Sequence, residues 1–349
     1  MSELLSILGG KNRQEECVKK LFSLFTALAV IMLTGVAQAA VCTPTGFVQG
    51  GVNLTAALIN PTGTVSGTLD ATGCNIGVYV DVAGASLKVS DADIFGANYF
   101  GVLVNGDSGS VDVEITNSSI HDIGEVPHNG AQHGVAVYMR GYFAVSAVTA
   151  KISGNQIWGY QKGGIVANGM GTQATITDNT VTGDGHVTFI AQNGIQIGYG
   201  AAASVMRNRV SGNSYDGHGD GSASGGVLVV GGPGYGLCPD GNDCPYTVGT
   251  KVDDNVLSNN DVGVYLSNVQ ADFSAPNSAT NIKSVNNTIS DDLCFNGSYQ
   301  AAISDQGNND KMVTNRISGP VCVTAFNPSG AAIDASTDFT IKPKVHANK

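Results

Sequence analysis

Charge is scarce in this sequence. Only 13% of its 349 residues are Asp, Glu, Lys or Arg. The basic sign is the scarcer: 17 Lys and Arg stand against 28 Asp and Glu, a formal net charge of −11. No basic stripe runs along the chain, which excludes nucleic acid as an expected partner. Long-range attraction of a polyanion is excluded too, although a local basic pocket can still hold one. Tryptophan occurs once and proline ten times. Past the N-terminal leader there is no long run rich in Ala, Glu, Lys and Leu, which excludes a helical bundle. The 47 glycines lie far above the usual ~7%, yet no Gly-X-Y period accompanies them, so collagen is excluded.

What is present is a repeat. Gly194-Ile195-Gln196-Ile197 is a Gly followed by a short strand with apolar residues at alternate positions. Variants of it start at Gly77, Gly101, Gly134, Gly164, Gly226 and Gly263. Successive glycines lie 24, 33, 30, 30, 32 and 37 residues apart. A second mark falls between them: Asn155, Asn179, Asn208, Asn255, Asn287 and Asn315, each followed two residues later by Ile, Val or Leu. Two alternating marks at such a period mean a solenoid. A strand rises ~3.3 Å per residue, so each repeat holds three short strands and their turns. The expected fold is all-β, a single-stranded right-handed parallel β-helix of about eight to ten coils. Val78, Val102, Val135, Ile165, Ile195, Val227 and Val264 should form one internal column. The Asn residues should stack along the axis, with Asn tolerating the left-handed conformation of a tight turn.

Residues 1–39 read as a signal peptide. Lys19-Lys20 precede an apolar run from Leu21 to Val36, and Ala37-Gln38-Ala39 is a small-residue cleavage site. A membrane anchor is the rival reading. The polar stretch Met1 to Cys17 is unusual ahead of such a peptide, and Val18 would open an ordinary one. Cleavage after Ala39 predicts a secreted or periplasmic protein with no membrane attachment. The β-helix domain is expected over 40–325, beginning with an N-terminal cap, and a tail over 326–349. Export makes the six remaining cysteines disulfide candidates. Sequence alone allows about 15 connectivities; proximity favours Cys42–Cys74, Cys238–Cys244 and Cys294–Cys322.

The Gly and Asn marks, on coils of this length, resemble the right-handed parallel β-helix proteins of the pectin lyase-like superfamily over about residues 50 to 325. Families of that fold include pectate and alginate lyases, polygalacturonases, mannuronan C5-epimerases, phage tailspikes and adhesins. No catalytic motif set of any one of them stands out.

The spacing of the marks points to a site. From each Asn-type mark to the next Gly mark there are 9, 16, 9, 15, 18 and 8 residues. Three coils therefore carry insertions at one corner, and such insertions map to one face. His121, His128 and His133 fall in the first insertion, His186 in the second and His218 in the third; only His346 lies elsewhere. Imidazole suits acid–base work near neutral pH. With Val135, Val137 and Met139 pointing inward, Ala136, Tyr138 and Arg140 point out, and Asn168 and Gln196 stack beside them. His133, Tyr138, Arg140 and Lys162 resemble the working parts of uronate lyases and epimerases. There a base removes the C5 proton and a cation neutralises the carboxylate. His133 or Tyr138 would be the base; Arg140 or Lys162 would bind the carboxylate. His121, His128, Asn168, His186, Gln196 and His218 would contact substrate. Gln132, Gln161 and Gln192 read as a ladder of stacked amides.

Asp216 and Asp220, in the run Asp216-Gly217-His218-Gly219-Asp220-Gly221, offer a candidate Ca2+ site without EF-hand spacing. No other cofactor is implied. The leading expectation is action on a uronate-containing polysaccharide by β-elimination or C5 epimerisation. The rivals are a non-catalytic β-helix that binds glycan or another partner, and a glycoside hydrolase using two of Asp178, Asp184, Asp216 and Asp220.

Overall fold

The computed structural model describes residues 40–216, 222–293 and 300–319, with the backbone of strands Val323–Phe326 and His346–Ala347. The proposed signal peptide, His218, Asp220, the Cys294–Cys322 pair and most of the tail lie outside the described residues.

Ten strands lie parallel along one face, in chain order, from Val52–Ile59 to Val323–Phe326. Strand Thr43–Gln49 caps the first of them in antiparallel pairing. Between them the chain makes further strands in a second sheet. Ala147–Ser153, for example, pairs in parallel with Ser110–Thr116 before it and Thr172–Thr177 after it. Each coil thus pairs with the coils on either side, and the molecule is a parallel β-helix. The ten coils that these strands mark among the described residues stand at the upper end of the expected number.

The internal column is Val78, Val102, Val137, Ile165, Ile195, Val227, Val264 and Ile303. The expectation erred at two neighbouring residues, Val135 and Ala136, which exchange inward and outward places. Val137, not Val135, occupies the column, and Ala136 takes the place that Gly101 and Gly164 hold in neighbouring coils. Gly134 belongs to the inserted loop, at φ 85°, so the repeat there starts two residues later. Val135 accordingly leaves the core and faces outward.

The Asn ladder runs without a break. Asn155, Asn179, Asn208, Asn255 and Asn287 each donate a side-chain N–H to the side-chain oxygen of the next, Asn315 closing the series, over 2.9–3.0 Å. The left-handed residue is the one before each Asn, not the Asn itself: Asp178, Arg207, Asp254, Asn286 and Thr314 have φ of 55–59°. That turn aims the Asn side chain inward, where it caps carbonyls of the preceding coil. Asn208, fully buried, also bonds Ile176 O at 2.9 Å and accepts the Asn179 N–H at 3.0 Å. Asn208→Ala strands these groups without partners, each worth about 1–3 kcal/mol. Thermal or urea unfolding should show a loss of about 3–5 kcal/mol; a loss under about 1 kcal/mol would mean that water replaces the ladder.

Two disulfides form as proximity favoured: Cys42–Cys74 and Cys238–Cys244, with Cα–Cα distances of 5.2 and 4.9 Å.

Candidate functional site

Alternate side chains of the first sheet point away from the core. On the early coils they are apolar and nonetheless covered: Ile76, Tyr79, Phe100 and Leu103 are at most 1% exposed. They form a cluster of their own with Leu54, Val135 and Val166. The cover is the N-terminal hairpin. Its strand pairing slips between Pro44 and Val48, and such a bulge re-aims side chains. Phe47 packs on the cluster, its ring 6.1 Å from that of Tyr79.

Beyond the hairpin the outer face forms a cavity of about 320 Å³. Tyr138, Arg140, Lys162, Asn168 and Gln196 line it, with Phe47, Val48 and Gln49 of the hairpin and Tyr142 and Tyr199 of the turns. Register brings them together. Arg140 lies opposite Asn168, while Tyr138, Val166 and Gln196 share one outward row. Gln196 donates to Asn168 at 3.2 Å.

The two cations differ. Arg140 Nη2 donates to the Asp107 carboxylate, whose other oxygen accepts the Tyr142 N–H at 3.0 Å. The guanidinium sits 5.0 Å from the Phe47 ring centre and 5.1 Å from that of Tyr142. Its Nε is buried with no hydrogen-bond partner. Lys162 Nζ donates to Ala191 O at 2.8 Å and makes no ion pair among the described residues. Burial pulls its ammonium down to about 8. Burial also pushes the Tyr199 hydroxyl up to about 12 and raises Tyr142 further. Both therefore stay neutral. The Tyr138 hydroxyl lies 3.4 Å from that of Tyr142.

Residues 63–238, half of the chain, match the sequence profile of the right-handed β-helix region. The chain belongs to the right-handed β-helix family. No curated protein and no solved structure matches it. This β-helix carries the pectin lyase-like fold.

Among the described residues, no histidine of this β-helix lines the cavity. His121 and His186 lie on strands, Ser119–Ile123 and Thr180–Val187, rather than in the loops that follow. His121 stacks between Phe95 and Trp158 at 5.2 and 4.3 Å, its nitrogens 2.8 Å from Asp122 and 3.0 Å from Asp93. That column belongs to the second sheet. His128 pairs with Asp184 at 2.8 Å. His186 bonds Ser214 Oγ at 2.9 Å and lies 3.8 Å from Asp216. His133 comes nearest in sequence to the cavity but does not line it. Its Nε2 is 2.7 Å from Glu125, and its ring stacks on Tyr99 at 3.8 Å. Asp178 pairs with Arg207 at 2.7 Å, so Asp178, Asp184 and Asp216 each have a separate cationic or imidazole neighbour. Among the described residues no cluster of three His, Cys, Asp or Glu suits a metal.

The glutamines are not a ladder. Gln161 and Gln192 are fully buried and brace the inserted loops. Gln161 accepts from Glu125 N and Asn129 N, each at 3.1 Å, and Gln192 accepts from Asp184 N at 2.9 Å. Gln132 is exposed and lines the cavity.

Asp107, Tyr142, Tyr199 and Phe47 were not foreseen as site residues. Asp107 lies two residues past Asn105, the residue that pairs with Arg140, so an exact register would have brought it into view. Nothing local marks Phe47, which reaches the site through the hairpin.

Proposed function

We propose that this β-helix acts on a uronate-containing polysaccharide in the cavity, by β-elimination or the related C5 epimerisation. One observation carries the reading. The Lys162 ammonium lines a cavity of amides and tyrosines and has no carboxylate against it among the described residues, so a carboxylate from outside can complete the pair. Arg140, already neutralised by Asp107, adds a polar wall and holds Tyr142 and Phe47 in place.

In elimination, Lys162 draws charge from the uronate carboxylate and acidifies C5–H. Tyr138, half-buried in the cavity wall, is the proton carrier in this scheme. Reacting as the phenolate, Tyr138 takes the C5 proton, the C4–O4 bond breaks as C4=C5 forms, and the same proton then passes from the Tyr138 hydroxyl to the departing O4, which restores the phenolate. His133, held by Glu125 and Tyr99, stands outside this scheme. The two disulfides, and the absence among the described residues of a helix long and apolar enough to cross a membrane, are compatible with a secreted or periplasmic setting, where such polymers occur.

The test is ultraviolet absorbance of the unsaturated uronate product. Mature protein is mixed with alginate, pectate and glycosaminoglycans, with Ca2+ and with chelator. Absorbance should rise on one class and fall to background in Tyr138→Phe, with binding retained. Proton exchange at C5 in heavy water without absorbance would identify the epimerase. Binding with neither signal would leave a glycan-binding protein, and full turnover by Tyr138→Phe would remove Tyr138 as the proton carrier.

A further inference from the structure

The cavity is blocked at one end, and the block is built. Tyr79, Leu103, Tyr138, Val166 and Gln196 form one outward row along the helix axis. Tyr79 and Leu103 are sealed, at 1% and 0% exposure. Tyr138 and Gln196 are only half-buried and line the cavity. The boundary between sealed and accessible is the hairpin, whose Phe47, Val48 and Gln49 wall the cavity. A chain lying along this row toward the N-terminal coils meets that wall.

The wall is anchored at several points. Cys42, just before the first hairpin strand, is joined to Cys74. Thr55, on the second strand, donates its N–H to Asn75 at 2.9 Å. Thr45 Oγ1 donates to Leu54 O at 2.7 Å across the hairpin. Phe47 is clasped between Tyr79 and the Arg140 guanidinium. A hairpin so tied is a fixed stop. A volume of about 320 Å³ is also at the small end for a ligand site, and suits a sugar ring or two rather than a long stretch of polymer.

We propose that the hairpin makes this a chain-end site: the cavity takes the terminal residue of an acidic polysaccharide and excludes internal stretches. The inference rests on the uronate reading above. Under it, the enzyme releases small products from the end and lowers polymer viscosity slowly. Phe47, Val48 and Gln49 then set specificity without touching the reacting atoms.

The test is binding stoichiometry, measured by calorimetry with full-length mature Tyr138→Phe protein, in which turnover is stopped. The probes are a uronate tetramer, an octamer and a long polymer of the class found in the absorbance assay. One protein per chain at every length supports the chain-end site. Stoichiometry rising with length overturns it and leaves the uronate reading intact. No binding to any uronate glycan, by this variant or by wild type, overturns the uronate reading and the inference with it. A second protein, with Val48–Asn53 replaced by a tight turn, should bind several copies per polymer chain. Retention of one per chain in that variant would show that the hairpin is not the stop.

Discussion

Lys162→Met is expected to weaken uronate binding by about 100-fold or more and at the same time to stabilise the fold by about 1–3 kcal/mol. The two effects have one cause. Lys162 holds a charge in a half-buried place where its hydrogen-bond partner is a single carbonyl, Ala191 O. Burial lowers its pKa from the usual 10.5 to about 8, which measures how far the folded protein disfavours the ammonium. Met keeps the length and apolar body of the side chain and removes the charge. A lysine kept only for packing would lose nothing to this change. The sign of the pH dependence follows. Between about pH 8 and 10.5 the folded state binds fewer protons at Lys162 than the unfolded state, so stability rises with pH across that window. Lys162→Met should flatten that rise. Unchanged uronate affinity in the variant would remove Lys162 from the site, and with it the observation on which the functional reading stands.

The second large effect is a gain of stability on acidification. Asp261 is fully buried and accepts Ser214 Oγ at 2.9 Å, Tyr215 N at 2.9 Å and Ser224 N at 2.8 Å. Burial outweighs these donors and pushes its carboxyl up to about 6. Asp310 is raised to about 6 by burial, although Thr280 Oγ1 and Ile282 N each donate to it at 2.7 Å. Burial, then the nearby Asp310 charge, raise Asp305 well above its ordinary value. For an acid raised on folding, the folded state binds more protons than the unfolded state between the two pKa values. Its contribution is full below about pH 4 and is lost as pH rises through about 6. Each of Asp261 and Asp310 corresponds to about 3 kcal/mol. Exposed carboxylates such as Asp178, lowered by Arg207, act in the opposite sense and only below about pH 4. Denaturant unfolding should therefore show greater stability at pH 4.5 than at pH 7, about 2–5 kcal/mol in all. Asp261→Asn should remove a large share of that difference. Equal stability at the two pH values would mean that these carboxyls are hydrated or paired in solution.

The fold was legible because a β-helix is nearly one-dimensional. Each coil meets only its neighbours, so the same demands recur at a fixed interval and print a period on the chain. The Asn155-to-Asn315 series and the valine column could be read before any coordinate was known. The disulfides Cys42–Cys74 and Cys238–Cys244 followed from proximity for the same reason. The slip in the valine column, Val135 for Val137, occurred where an inserted loop supplied a glycine that imitates the mark.

The sequence leaves the place of Lys162 open, because Gln161-Lys162-Gly163-Gly164 allows a one-residue shift. The outward row Tyr138, Arg140, Asn168 and Gln196 was also readable, since alternation and register follow from the period. What surrounds that row was not. Sequence by itself determined the coils, their stacking and which side chains leave the core. Only the tertiary structure decided that Phe47 lies against Arg140, that Asp107 neutralises that arginine while Lys162 is left without a carboxylate among the described residues, and that His133 turns to Glu125 and Tyr99. Those contacts depend on a hairpin and on loops outside the repeat. No periodic demand governs them, so their positions are set by packing between distant parts of the chain.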